Sequence, residues 1–302
     1  MMLYALTEAP GDAAEVGQES LLLAALAAQG LPVAPTWVLG ASAFDRALTA
    51  SGVADQAAEI AWNLRGVWND LDTARRVLDG VEPQRRRVAR ALRRAALADE
   101  LGRELEHLAL METLWTLRPL PLSEEKGVFG NLFPPLLSMA GGAALWDGIC
   151  QVWATAFSRR ALLWAAGLEM DPPRLAILLT AMPPITARDC SATATAASSV
   201  PGLGGPLVRA LYGAWQDGLG TLYSIACGRA VALPAHSRRP AHALVSREGG
   251  GGLERVPYPP GDPLSGEEAR RLGEMAQLLA AHVERVAFFC PAEGEPLIVE
   301  AT

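Results

Sequence analysis

The chain has 302 residues, about two domains' length, and is 50% hydrophobic and 20% charged, which excludes a disordered tract or a small disulfide-stapled scaffold. Its net charge of −7 argues against broad binding to a nucleic-acid backbone, where affinity comes from Lys and Arg displacing counterions. Apolar runs such as residues 21–28 and 175–179 fall short of the ~20 needed to cross a bilayer, and residues 1–8 carry no basic leader, so a cytoplasmic protein with neither membrane nor nucleic-acid partners is expected.

In chain order, residues 16–28 have helical character, stopped by Gly30, Pro32 and Pro35, and residues 36–39 read as a β-branched, aromatic strand. A second helix over 41–50 takes Ser42 as its N-cap, and a further apolar-periodic stretch covers 54–78. Residues 83–114 predict one or two amphipathic helices carrying Arg85, Arg86, Arg87, Arg90, Arg93 and Arg94 opposite Val88, Ala91, Leu92 and Ala95. This basic run reads as a solvated face balanced by Asp99, Glu100, Glu104 and Glu106.

Residues 113–117 predict a strand running into the stiff step Arg118-Pro119-Leu120-Pro121, followed by a loop. Residues 143–166 predict a strong helix whose Trp146, Trp153 and Trp164 serve packing. Proline pairs bound a strand at 175–180, and 190–196 alternates small residues with Thr193 and Thr195. A glycine-rich turn at 202–205 precedes a helix-like 207–215. Strands follow at 222–233 and 243–247, and Gly249 to Gly252 form a hairpin tip. Ser265-Gly266-Glu267-Glu268 has the capping-box form, opening a helix with one apolar stripe, and a last hairpin joins 286–289 to 297–299. Cys150, Cys190, Cys227 and Cys290 lack metal-ligand spacing and are expected to be reduced core thiols.

Several of these segments together resemble a known family. They are Val16-Gly17-Gln18-Glu19-Ser20-Leu21 with Gly30-Leu31-Pro32-Val33-Ala34-Pro35, Leu117-Arg118-Pro119 with Glu124-Glu125, and Val152-Trp153-Ala154-Thr155-Ala156-Phe157-Ser158. Ala176 to Met182, Gly202-Leu203-Gly204-Gly205, the capping-box helix and the final hairpin continue the order. The series is similar to the N-terminal ATP-grasp nucleotide-binding region of the phosphoenolpyruvate synthase, pyruvate phosphate dikinase and rifampin phosphotransferase family. That resemblance implies an α+β fold, with a helix-rich subdomain over 1–172 and a mainly antiparallel subdomain over 173–302 around a cleft.

It also implies ATP with Mg²⁺, bound through Glu19, Arg118, Met182, Gly202, Gly204 and Glu300. Phosphoryl transfer needs cations on the phosphates and carboxylates on Mg²⁺, and most of those groups are altered. The family's lysine falls at Glu19, or at Gln18 with a one-residue slip; its metal-binding glutamate falls at Ala287, its glutamine at Glu300 and its terminal arginine at Thr302. Arg118 alone stays in register, as the one candidate catalytic residue. If the register slips, Glu300, or after it Glu284, is the candidate replacement metal ligand, with Lys126, the chain's one lysine, or Arg118 supplying charge. The four histidines have no phosphoryl-acceptor context. The expectation is therefore a stand-alone, catalytically degenerate kinase-like domain with a nucleotide-binding or regulatory role. The alternatives are an active phosphotransferase subunit serving a phosphohistidine and substrate domain on a separate chain, and an unrelated helical scaffold whose arginine-rich helix binds an acidic partner.

Overall fold

The computed structural model describes residues 2–64, 67, 70–95, 99–111, 113–122, 132–167, 172–197, 205–216 and 219–302. The chain is α+β and divides into two compact units, the first made of Met1–Ala24 with Pro35–Ala181 and the second of Ala25–Ala34 with Met182–Thr302.

In the first unit, the strands β1 (Leu3–Ala5), β2 (Thr36–Leu39), β3 (Leu114–Leu122), β4 (Leu136–Met139) and β5 (Arg174–Met182) form one sheet in the order β1-β2-β5-β3-β4. Central β5 is buried at every position after Arg174, as expected of a strand covered on both faces. The helices are α1 (Ala13–Val16), α2 (Gln18–Ala28, whose last turn, from Ala25, belongs to the second unit), α3 (Ala41–Ala50), α4 (Ala54–Leu64), α5 (Leu71–Gly80), α6 (Glu82–Leu92), α7 (Asp99–Ala109), α8 (Gly142–Thr155) and α9 (Arg159–Gly167). The stretch expected over 54–78 is two helices, because Asp70 caps α5 by accepting the Asp72 amide at 3.0 Å. The helix expected over 143–166 likewise breaks, and Ser158 caps α9 by accepting the Ala161 amide at 3.1 Å. Trp115 and Trp153 are fully buried in this unit's core; Trp37 meets Trp115 edge-on at 5.4 Å between ring centres, and Trp146 meets Trp153 at 5.6 Å. Trp164 instead is half exposed.

The start of α3 differs from expectation. Gly40 is its N-cap, and the Ser42 amide and hydroxyl both donate to the Glu15 carboxylate, at 3.1 and 2.6 Å. A charged acceptor from a distant element thus replaces a local hydroxyl cap, favoured by the positive end of the helix dipole. Gly40 makes room for it, since a Cβ there would lie 2.0 Å from Glu15 Oε1.

The second unit is built on a six-stranded sheet, antiparallel throughout, in the order β13-β12-β6-β7-β8-β9. Its strands are β6 (Cys190–Thr195), β7 (Leu207–Tyr212), β8 (Thr221–Ala226), β9 (Arg229–Ala232), β12 (Arg285–Cys290) and β13 (Leu297–Ala301). A separate hairpin pairs β10 (His242–Ser246) with β11 (Leu253–Pro257). Helix α10 (Gly266–Leu279) lies on β6 to β9, and its capping box is formed, with Ser265 accepting the Glu268 amide at 3.2 Å while Glu268 accepts the Ser265 amide at 2.7 Å. Residues 207–215, expected as helix, begin with strand β7. Pairing with β6 and β8 captures that apolar run, whose composition fits a buried strand as well as a helix.

Among the described residues, no helix is long and apolar enough to cross a membrane. Three of the cysteines are buried, but Cys227 is exposed in the turn between β8 and β9, with φ +51°. Burial pushes the Cys150 thiol up to about 12, with Asp147 adding to the shift.

Candidate functional site

Strand β3 carries Arg118 through the two-proline step rather than ending before it. Its pairing with β4 runs over Trp115 and Leu117, so Pro119 and Pro121 lie past the paired residues and interrupt no β4 ladder. Along β3, Trp115 and Leu117 point to one face; Arg118 and Leu120 point to the other, where α1 packs. The α1–α2 junction turns at Gly17, with φ +81°, where a Cβ would press on Leu120 Cδ1 at 3.2 Å. Just past it, buried Ser20 donates its hydroxyl to the Val16 carbonyl at 2.5 Å, with the Gly17 carbonyl 2.8 Å away. This fixes the first turn of α2.

That turn presents Glu19 to Arg118. The Arg118 guanidinium donates to Glu19 Oε1, and the two side chains are only 15% and 17% exposed. The two positions that the resemblance assigns to phosphate-binding cations are therefore brought together, but as an acid and a base. A largely buried pair of this kind carries no net charge and keeps the guanidinium occupied by a carboxylate.

In the second unit, Glu300 on β13 stands opposite Ala287 on β12, Ala287 opposite Thr193 on β6, and Thr193 opposite Arg209 on β7. Residues directly opposite share a face, so these four form one row across the sheet. The Glu300 carboxylate is ion-paired with Arg285, two positions from Ala287 on the same strand. Ala287 offers no ligand atom, and no group of three or more His, Cys, Asp or Glu side chains among the described residues is arranged to hold a metal ion. Met182, the last residue of β5, is buried. Gly202, Gly204, Glu124, Glu125 and Lys126 lie outside the described residues.

Two arginines of this sheet escape sequence reasoning. Arg285 is recognisable only once the register sets it beside Glu300. Arg209 is a lone cation in an apolar strand; burial lowers its pKa, with nearby Arg238 adding to the effect, and its guanidinium donates to the His236 carbonyl at 3.4 Å. The sequence signal for Arg209 is a charged residue at the half-exposed phase of an otherwise buried strand.

A magnesium-bound triphosphate does not fit these residues. In the first unit the arginine that the resemblance assigns to phosphate is paired with Glu19, and in the second the carboxylate that it assigns to the metal is paired with Arg285. Compared with models of protein families and with curated proteins, the sequence matches none.

Proposed function

We propose that the chain is an ATP-grasp-type domain that no longer transfers phosphoryl groups and acts by binding, as a regulatory partner. The Glu19–Arg118 ion pair carries this reading: a carboxylate sits where the motif resemblance calls for a lysine, and it takes up the one arginine left in register. Phosphoryl transfer depends on positioning and charge stabilisation, so a neutral pair at that place removes the main contribution the protein makes. The Ala287–Glu300 register and the Arg285 ion pair add support, because a lost ligand and a committed one leave no pair of carboxylates for Mg²⁺ at these positions among the described residues. The α+β architecture, with an antiparallel sheet in the second unit, accords with the same reading.

The test combines γ-labelled ATP with thermal unfolding in ATP, GTP and AMP, each with and without Mg²⁺. The expected result is no label on any histidine-bearing acceptor protein and no Mg²⁺-dependent stabilisation; a ligand at ~100 times its dissociation constant would add ~2.7 kcal/mol. Stabilisation that requires Mg²⁺, together with labelled phosphohistidine, would instead establish an active phosphotransferase subunit.

A further inference from the structure

The arginine-rich helix α6 stands apart from the nucleotide-fold reading, and its charge is not neutralised as its sequence suggests. Residues 82–94 hold six of the chain's 26 Lys and Arg but one of its 33 Asp and Glu, which leaves 20 basic against 32 acidic residues elsewhere. That one acid, Glu82, is fully engaged: it accepts from Arg85 at 2.8 and 2.7 Å and from Arg86 at 2.5 Å, and Arg159 lies 3.5 Å away. Arg85 also donates to the Phe157 carbonyl at 2.9 Å, so it is a structural anchor. Arg87, Arg90, Arg93 and Arg94 are exposed and have no ion-pair partner among the described residues. Glu104 and Glu106, expected to balance them, pair with none of them there.

The helix dipole does not account for this run. Cations gain at a helix C-terminus, which suits Arg90, Arg93 and Arg94, but Arg86 and Arg87 lie in the middle of the helix, where the dipole gives a positive charge no gain. Arg86, Arg90 and Arg94 follow one another at four-residue steps, with Arg87 alongside, and together with Glu82, Pro83 and Ala91 they line a groove of about 600 Å³. Glu82 takes up Arg86, and the three remaining like charges on the groove, Arg87, Arg90 and Arg94, repel each other until an anion is bound.

We propose that this groove docks an acidic polypeptide segment of a partner protein, its carboxylates meeting the arginine forks at helical spacing. The geometry favours a peptide over nucleic acid. The 11-residue helix offers a basic strip only ~16 Å long, and the acidic excess of the rest of the chain opposes a polyanion extending beyond it. Planar guanidinium groups also match carboxylates two bonds at a time, which a lysine surface would not do.

Fluorescence anisotropy of the full chain with a labelled glutamate-rich peptide tests this, alongside labelled single- and double-stranded oligonucleotides. Arg87→Glu/Arg90→Glu/Arg94→Glu is expected to weaken peptide binding at least about tenfold. Arg188→Glu/Arg247→Glu/Arg255→Glu makes the same change in net charge at exposed arginines of the second unit and is expected to leave binding within about twofold. Unchanged circular dichroism melts would confirm that both variants fold, and the triple Lys variant of the α6 set is expected to bind with intermediate affinity. The proposal is overturned if the peptide does not bind, if an oligonucleotide binds more tightly, or if both triple reversals weaken binding equally. None of these outcomes depends on whether the chain binds or hydrolyses ATP.

Discussion

A carboxylate at position 19 changes what Arg118 can do, because each side chain is more than four-fifths buried and each satisfies the other. Removing one member takes this ion-pair partner from the other's charge in a poorly solvated place. Glu19→Ala and Arg118→Ala are each expected to destabilise the fold by about 1–3 kcal/mol in urea unfolding, and the double variant by less than the sum. Cys150, Cys190 and Cys290 are buried while Cys227 is exposed, so a thiol reagent should modify one cysteine per native chain and all four after denaturation, with peptide mapping placing the native adduct on Cys227. Cys227→Ser should abolish the native reaction. Modification of Cys150 in the folded chain would contradict its burial.

At the level of elements, helix ends decide where the chain folds as it does. Glu15 caps α3 from outside that helix, so Glu15→Ala should cost about 1 kcal/mol or more, and Ser42→Ala should cost less because the Ser42 amide still reaches the carboxylate. Glu82 organises the start of α6: hydrogen bonding from Arg85 foremost, and then from Arg86, lowers its pKa from 4.5 to about 2. A depressed carboxylate pKa contributes stability above its unfolded value, and this contribution is lost as pH falls through the folded value. Glu82→Gln should therefore flatten the loss of stability between about pH 4.5 and 2, as read by urea unfolding across that range. These features differ in how far they can be read from sequence. The capping box of α10 is local, four residues long, and therefore legible. The Glu15 cap joins residues 27 apart and is invisible until the fold brings them together. Residues 207–215 mislead for a related reason, since partner strands, not local periodicity, decide their state.

For the whole molecule, the α+β class and the final hairpin are legible because alternation, prolines and capping signals are each short-range. The candidate site is legible in part. Motif order points to Glu19, Arg118, Ala287 and Glu300, but only the fold reveals that Glu19 is spent on Arg118 and Glu300 on Arg285. Ion pairing between residues 99 apart leaves no pattern in a single sequence. Charge is likewise uneven at this scale, an acidic chain carrying one concentrated basic helix. On the function proposed above, Glu19 cancels the cation on which a triphosphate would depend. Calorimetric titration of wild type and Glu19→Gln with ATP and Mg²⁺, each folded by circular dichroism, tests it most directly. Wild type is expected to give no heat of Mg²⁺-dependent binding, and Glu19→Gln to give measurable heat of ATP binding as Arg118 is released. Micromolar, Mg²⁺-dependent binding by wild type that Glu19→Gln weakens would contradict it.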